Sequence, residues 1–512
     1  MTLTVNDTRR ADCLPTGIDG LDQIAAGGLP TRSGTVISGT AGSGKTVLGV
    51  QFLVAGITRF GQHGVFVTFE ETAEEITRNV RSFGWDLAAL VASGQLAIID
   101  GSPQPGEELV ETGLYDLSGL LLRIEEAVRR TGAVRVALDA LGGLFSQFTD
   151  SKLVRRQLRR LAAGLKALGV TTVVTIERTE EDAAAGRYGI EEFVADNVIL
   201  LRNRLDNENR RRTIEILKVR GAPHQKGEYP FTIDAATGLT IIPLSATELS
   251  RRSSSVRVST GVPELDRMCG GGVFRDSTVL VSGTTGTGKT MLVTAYLKAA
   301  VDAGEKAILF GAEENREQFV RNAALSGVDL AAAEQDGQLK IISRHPAGMG
   351  LEDHLLLMKR EIEAFGPDRV AVDSLSAFER SFSPKSFSEF VLALTSRITY
   401  LQITGLFTNT TSMLSGIETP SEMRMPTIPD AIILLRYVEL NGEIRRGLTV
   451  LKMRGAQHEK GIREYMIDET GIHIDRPFAG VQGILTGPPT YGLESWQPRI
   501  TELVRPSQEG HS

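Results

Sequence analysis

Gly39-Thr40-Ala41-Gly42-Ser43-Gly44-Lys45-Thr46 and Gly283-Thr284-Thr285-Gly286-Thr287-Gly288-Lys289-Thr290 are one phrase written twice in a single chain. Both fit the phosphate-loop pattern. The glycines let successive backbone N–H groups curl around phosphates, the lysine reaches the terminal ones, and the hydroxyl of Thr46 or Thr290 is a ligand for magnesium. The repeat therefore calls for ATP and Mg2+ at two sites.

Each loop sits in a repeated frame. Thr16-Gly17-Ile18-Asp19-Gly20-Leu21-Asp22 precedes the first and Thr260-Gly261-Val262-Pro263-Glu264-Leu265-Asp266 the second, and the interval from Asp22 to Asp266 equals that from Lys45 to Lys289. Two motifs in a common frame mark an internal duplication. The β-branched runs Thr35-Val36-Ile37-Ser38 and Thr278-Val279-Leu280-Val281 enter the loops, and apolar residues then recur at helical spacing from Val47 and from Met291. Each half thus begins as strand, phosphate loop, helix.

Further strands end in acids. Val65-Phe66-Val67-Thr68-Phe69 leads to Glu70-Glu71, and Ala307-Ile308-Leu309-Phe310 runs on to Glu313-Glu314. These carboxylates are candidate catalytic groups beside a nucleotide, and an acidic helix start is the plainer use for them. Val134–Leu138 delivers Asp139 and Arg369–Val372 delivers Asp373, acids suited to the magnesium side of a phosphate loop. A fourth pair of strands is Val170–Thr175 and Ile403–Thr408. Strands alternating with helices predict an α/β fold, a largely parallel sheet in each half with ligands at the carboxyl ends of its strands.

Near the end of each half the rhythm changes to hairpins, which add antiparallel strands. Asn197–Leu200 returns through Asp206-Asn207-Glu208-Asn209 into Thr213–Leu217, and Ile432–Leu435 returns through Asn441-Gly442 into Leu448–Leu451. The returning strands deliver Lys218-Val219-Arg220 and Lys452-Met453-Arg454, with lysine and arginine on one side of the strand. Such a pair suits a nucleotide's charge, including one across a subunit boundary. A basic edge that discourages strand pairing is the plain alternative.

At 512 residues the chain exceeds one hydrophobic core. The reading divides it into a first domain over 1–248, a linker over 249–256, a second domain over 257–485 and a flexible tail over 486–512. No run approaches roughly eighteen apolar residues, and the first residues have neither the basic start nor the apolar core of an export signal, so a cytoplasmic protein with no membrane span is expected. Only Cys13 and Cys269 occur, without CxxC spacing, which excludes a thiolate metal cluster. The net charge of -7 disfavours wholesale nucleic-acid binding. Arg155, Arg156, Arg159 and Arg160, with Arg210-Arg211-Arg212, keep a RecA-like nucleic-acid motor as an alternative.

After its Lys-x-Arg-Gly the first half continues Ala222-Pro223-His224-Gln225-Lys226-Gly227-Glu228-Tyr229-Pro230-Phe231, and the second carries Ile403-Thr404-Gly405-Leu406-Phe407-Thr408-Asn409-Thr410. With these phrases and the paired loops, nearly the whole chain resembles the double-domain KaiC family of circadian-clock ATPases and autokinases, within the RecA-like class. The resemblance implies two tandem RecA-like domains and a homohexamer of two stacked rings. ATP would lie between neighbouring subunits, reached by Lys218 and Arg220 in the first ring and by Lys452 and Arg454 in the second. The first ring would hydrolyse ATP slowly, with Glu70 and Glu71 positioning or deprotonating water. Glu313 and Glu314 would serve the second ring, where a protein hydroxyl is the acceptor of a Ser/Thr autokinase.

The family places a Ser-Thr pair before an Ile-Thr-Asp-like phrase, and this chain has Pro426-Thr427-Ile428-Pro429-Asp430. Thr427 is the implied phosphoacceptor and Ser421 a second candidate. Pro426 has no hydroxyl and restrains the backbone beside Thr427, which argues against an ordered two-site cycle. The resemblance implies a KaiB-like partner for the first ring. It does not carry over a KaiA-like activator, because the segment after Pro489, with Tyr491 and Trp496, departs from the family's tail. A nucleotide-gated signalling scaffold without significant kinase output is the alternative of a different class.

Overall fold

The computed structural model describes residues 12–101, 118–141, 151–178, 195–206, 209–243, 254–411, 429–440, 442–478, 481–482 and 490–491. It divides into two compact units, Met1–Ser245 and Ala246–Ser512. Each unit is built on a nine-stranded sheet.

In the first unit the strands are β1 (Cys13–Leu14), β2 (Leu29–Pro30), β3 (Gly34–Gly39), β4 (Gly64–Thr68), β5 (Leu96–Asp100), β6 (Arg135–Asp139), β7 (Thr171–Glu177), β8 (Asn197–Asp206), β9 (Asn209–Val219), β10 (Glu228–Asp234) and β11 (Gly238–Ile241). The large sheet runs β11-β10-β9-β8-β3-β7-β6-β4-β5. From β8 to β5 every pairing is parallel, and β9 to β11 continue it antiparallel.

The second unit repeats this plan. Its strands are β12 (Arg257–Val258), β13 (Val273–Phe274), β14 (Thr278–Gly283), β15 (Ala307–Gly311), β16 (Leu339–Ser343), β17 (Arg369–Asp373), β18 (Thr404–Thr410), β19 (Ala431–Leu440), β20 (Glu443–Met453), β21 (Arg463–Asp468), β22 (Gly471–Pro477), β23 (Val481–Gln482) and β24 (Thr490–Tyr491). The large sheet runs β16-β15-β17-β18-β14-β19-β20-β21-β22, the first unit's order read from the other edge. β23 pairs with β24 within the stretch assigned from sequence to the end of the second domain and the tail.

The central strands are apolar on both sides because helices cover both faces. Phe66 packs into one core cluster while its neighbours Val65 and Val67 pack into another. Leu309 is likewise divided from Ile308 and Phe310. Burying each such side chain contributes about 1.5–3 kcal/mol, so a slip of one residue would turn an apolar set out of its layer.

The repeated opening frames are hydrogen-bond caps. Asp22 accepts from Thr16 N and Oγ1, both at 2.7 Å, and Asp266 accepts from Thr260 N and Oγ1 at the same distances. Sequence reading left out β5 and β16, which extend each sheet beyond β4 and β15, and also β10–β11 and β21–β22 at the opposite edge. Among the described residues no helix is long and apolar enough to cross a membrane.

Candidate nucleotide-binding sites

Each phosphate loop joins the carboxyl end of a central strand to a helix, Lys45–Phe60 after β3 and Lys289–Asp302 after β14. Gly44 and Gly288 stand at φ 93° and 95°, where a side chain is strained. A Cβ on Gly44 would also lie 2.6 Å from Ile233 Cδ1. The backbone shape thus calls for glycine at both positions, and a side chain there would also have to displace the tip of Ile233 or Ile467.

Lys45 Nζ donates to the Thr40 carbonyl at 2.8 Å. Lys289 Nζ donates to the carbonyls of Gly283 and Thr284 at 2.9 and 3.0 Å. Burial lowers the Lys289 pKa, against the pull of Asp373 and Glu313. Thr46 Oγ1 donates to Asp139 Oδ2 at 2.7 Å, and Thr290 Oγ1 to Asp373 Oδ2 at 2.8 Å. The other carboxylate oxygen is held by Thr175 at 2.6 Å in the first half and by Thr408 in the second. Both threonines are last residues of strands read from the sequence, yet apolar alternation gave no sign of their role. Burial raises the Asp373 carboxyl, and the two threonine hydroxyls pull it back down.

The paired glutamates follow β4 and β15 on the same edge of each sheet. In each pair the second is tethered: Glu71 Oε2 accepts from Asn79 Nδ2 and Glu314 Oε2 from Asn322 Nδ2, both at 3.1 Å. The first of each pair is exposed and differs between halves. Glu313 is ion-paired with Arg380 at 2.6 Å. Partial burial raises the Glu70 carboxyl, Glu177 and Asp139 add repulsion, Lys45 opposes them, and Glu71 contributes further repulsion. Glu177 stands opposite Gly39 in register, where the second half has Thr410 opposite Gly283. The helix starts after the glutamate pairs are capped by Thr72 with Glu75 and by Asn315 with Gln318, so other residues fill the capping role.

The Lys-x-Arg pairs sit elsewhere. Lys218 Nζ donates to Ala195 O at 2.9 Å and Arg220 pairs with Asp196 at 3.3 Å. Lys452 Nζ donates to Pro429 O at 2.7 Å and Arg454 pairs with Asp430 at 3.5 Å. Lys218 lies opposite Val198, whereas Gly39 lies opposite Leu201, so roughly 10 Å of strand separates the pair from the loop of its own half. Nothing in this geometry brings them to their own chain's loop.

Arg212 Nε donates to the Gly42 carbonyl at 3.3 Å and so braces the first phosphate loop, while Arg210 donates to the Asn203 carbonyl across the β8–β9 hairpin at 2.9 Å. Among the described residues no cluster of His, Cys, Asp and Glu has a metal-binding arrangement of its own. Thr427, Ser421 and Pro426 lie outside the described residues, as do linker residues 249–253.

A family profile described as "ATPase: KaiC" matches this chain twice, over residues 14–246 and 258–478. The chain is 53% identical over 497 residues to "Circadian clock protein KaiC3" of Synechocystis sp., covering 97% of this chain and 98% of that protein. It is 52% identical over 475 residues to "Circadian clock oscillator protein KaiC" of Parathermosynechococcus lividus, covering 93% and 87%. The protein of the latter name from Synechococcus elongatus is 50% identical over 495 residues, covering 96% and 95%. Two phosphate-loop units of one topology, each matched by the same ATPase family, are two tandem RecA-like domains, and the chain belongs to the KaiC family of circadian-clock ATPases.

Proposed function

We propose that this protein is a magnesium-dependent homohexameric ATPase and Ser/Thr autokinase of the cytoplasm, acting in a clock or related signalling system with a KaiB-like partner. The first half hydrolyses ATP slowly and the second phosphorylates Thr427, with Ser421 as second acceptor. The observation that carries this reading is the pairing, in both halves, of a loop threonine with a strand-end aspartate, Thr46 with Asp139 and Thr290 with Asp373.

Those four side chains would hold Mg2+, since they offer hard oxygen donors beside the phosphate-binding loop. The bound ion supplies charge neutralisation at the phosphates. Lys45 and Lys289 bind the terminal phosphates. Glu70 draws a proton from the attacking water and Glu313 from the acceptor hydroxyl, while Glu71 and Glu314 orient the nucleophile. Lys218, Arg220, Lys452 and Arg454 serve the nucleotide of the neighbouring subunit, a role supported by their distance from their own loops.

The test is to incubate assembled protein with Mg-ATP, follow ADP, and map phosphate on Thr427 and Ser421 by peptide mass spectrometry, with a Glu313→Ala/Glu314→Ala control. ATP-dependent occupancy that the control lacks is expected. ADP without phosphopeptide would leave the nucleotide-gated scaffold, which Pro426 favours by removing one acceptor hydroxyl. Neither product would end the enzyme assignment.

A further inference from the structure

A cavity of about 310 Å³ lies in the first half against the starts of β3 and β7, at the opposite end of the sheet from Lys45 and Thr46. Val36, Val174 and Ile176 form its sheet wall. Leu158, Leu161 and Leu165 of the helix Ser151–Ala167 face them. This size is within the range of small-molecule sites.

The duplication shows what the cavity replaces. Register sets Val36 against Val174 and Val198 in the first half, and Leu280 against Phe407 and Ile432 in the second. Leu280, Phe407 and Ile432 join Phe390, Leu394 and Ile398 in one continuous apolar cluster. Among the described residues the same face of the first half is divided, with Val174 packed at the edge of both parts. Val36, Ile176 and Val198 form one small cluster and Leu161 and Leu165 belong to another. Close-packed interiors do not leave such gaps without losing dispersion contacts, so the smaller residues here come at a cost in stability that the second half avoids.

The polar lining is basic. Arg32, Arg159, Lys166 and Arg220 contribute to it against a single carboxylate, Asp196. Asp196 is already engaged by Lys166 at 3.7 Å and Arg220 at 3.3 Å. Among the described residues no carboxylate pairs with Arg32 or Arg159. An apolar chamber with surplus positive charge is complementary to one kind of small molecule.

We propose that this cavity binds an amphipathic anion, an apolar chain or ring bearing one carboxylate or sulfonate, with the apolar body between Val36, Val174 and Leu161 and the anion toward Arg32 and Arg159. Arg220 at the rim is also proposed above for a neighbour's nucleotide, but Val36, Val174, Arg32 and Arg159 lie away from the phosphate loop of their own half and have no part in that machinery, so binding is read by titration at saturating Mg-ATP rather than by turnover.

Isothermal titration of the assembled protein in Mg-ATP, with decanoate as the probe, should show saturable binding of one molecule per chain. Val36→Leu/Val174→Phe, which installs the residues that the second half carries in the same register, should weaken it by at least about tenfold. Arg32→Gln/Arg159→Gln should weaken decanoate severalfold while leaving decanol binding unchanged. Absence of saturable decanoate binding, unchanged binding in a folded Val36→Leu/Val174→Phe variant, or equal effects of the arginine variant on decanoate and decanol would each overturn the proposal. Should the filled variant fail to assemble, the decanoate and decanol comparison decides alone.

Discussion

Arg380 Nη2 lies 2.6 Å from Glu313 Oε1, so the candidate base of the second half carries a guanidinium that orients it. The residue at the same interval from the strand-end aspartate of the first half is Ser146, which has no charge to offer. Both partners are well exposed, so the pair contributes little to folding. Its effect is on chemistry: Arg380→Ala should slow autophosphorylation by about tenfold through a less well-placed base, with first-half hydrolysis unchanged. Quench-flow of phosphothreonine formation checks this, and an unchanged rate would dismiss Arg380 as a positioning residue.

Hydrolysis in the first half should fail earlier on acidification than an ordinary glutamate base would allow. The Glu70 carboxyl is raised by burial and then by Glu177 and Asp139, so it takes up its proton at a higher pH and stops serving as a base there. Glu177→Gln removes one source of repulsion and should move the acid limb to lower pH. Lys45, Glu71 and Asp139 remain in place. The measurement is the pH profile of ADP release from a variant silenced in the second half by Lys289→Ala, and a limb that stays put in Glu177→Gln would count against the assignment.

Two buried arginines give a stability prediction. Arg369, at 2% exposure, pairs with Glu305 at 2.6 Å. Arg135, at 0%, has the amide of Gln62 in the corresponding place, at 2.8 and 2.6 Å, and burial pushes its pKa down to about 10. Gln62→Glu supplies the missing countercharge and should stabilise the first half by roughly 1 kcal/mol, the difference between a charge-assisted and a neutral hydrogen bond. Differential scanning calorimetry should show a rise of about 2–4 °C in the corresponding transition. A fall would mean that desolvating the new carboxylate outweighs the attraction.

Thr46→Ala should reduce first-half turnover by about 10- to 100-fold, the loss of one hydrogen bond to a charged group worth roughly 1.5–3 kcal/mol. Excess magnesium should restore part of the rate, because Asp139 and its bond to Thr175 remain. Hydrolysis assayed across a magnesium titration in the Lys289→Ala background tests this, and a rate insensitive to the change would remove Thr46 from the site.

The central strands, the loops and the acids at strand ends were legible because each depends on local pattern: short continuous apolar runs, glycine spacing, and charge placed just past an apolar run. The edge strands β5 and β16 were not, since five residues at a sheet edge carry too little periodicity. Thr175 and Thr408 were read only as strand residues, because what they do depends on β7 and β18 lying beside β6 and β17, a parallel adjacency made by crossovers. Arg380 and Glu177 were missed for the same reason. Their partners come from other segments of the chain.

The sequence by itself determined that there are two phosphate-loop domains of one ancestry, since a repeated frame survives any folding detail. Tertiary structure decided how the two halves differ. Phe407 and Leu280 fill a face that Val174 and Val36 leave open, and Arg380 holds one glutamate while Glu177 repels the other. Such differences arise from packing and electrostatics between residues far apart in sequence, and these are set only when parallel strands bring them within a few ångströms.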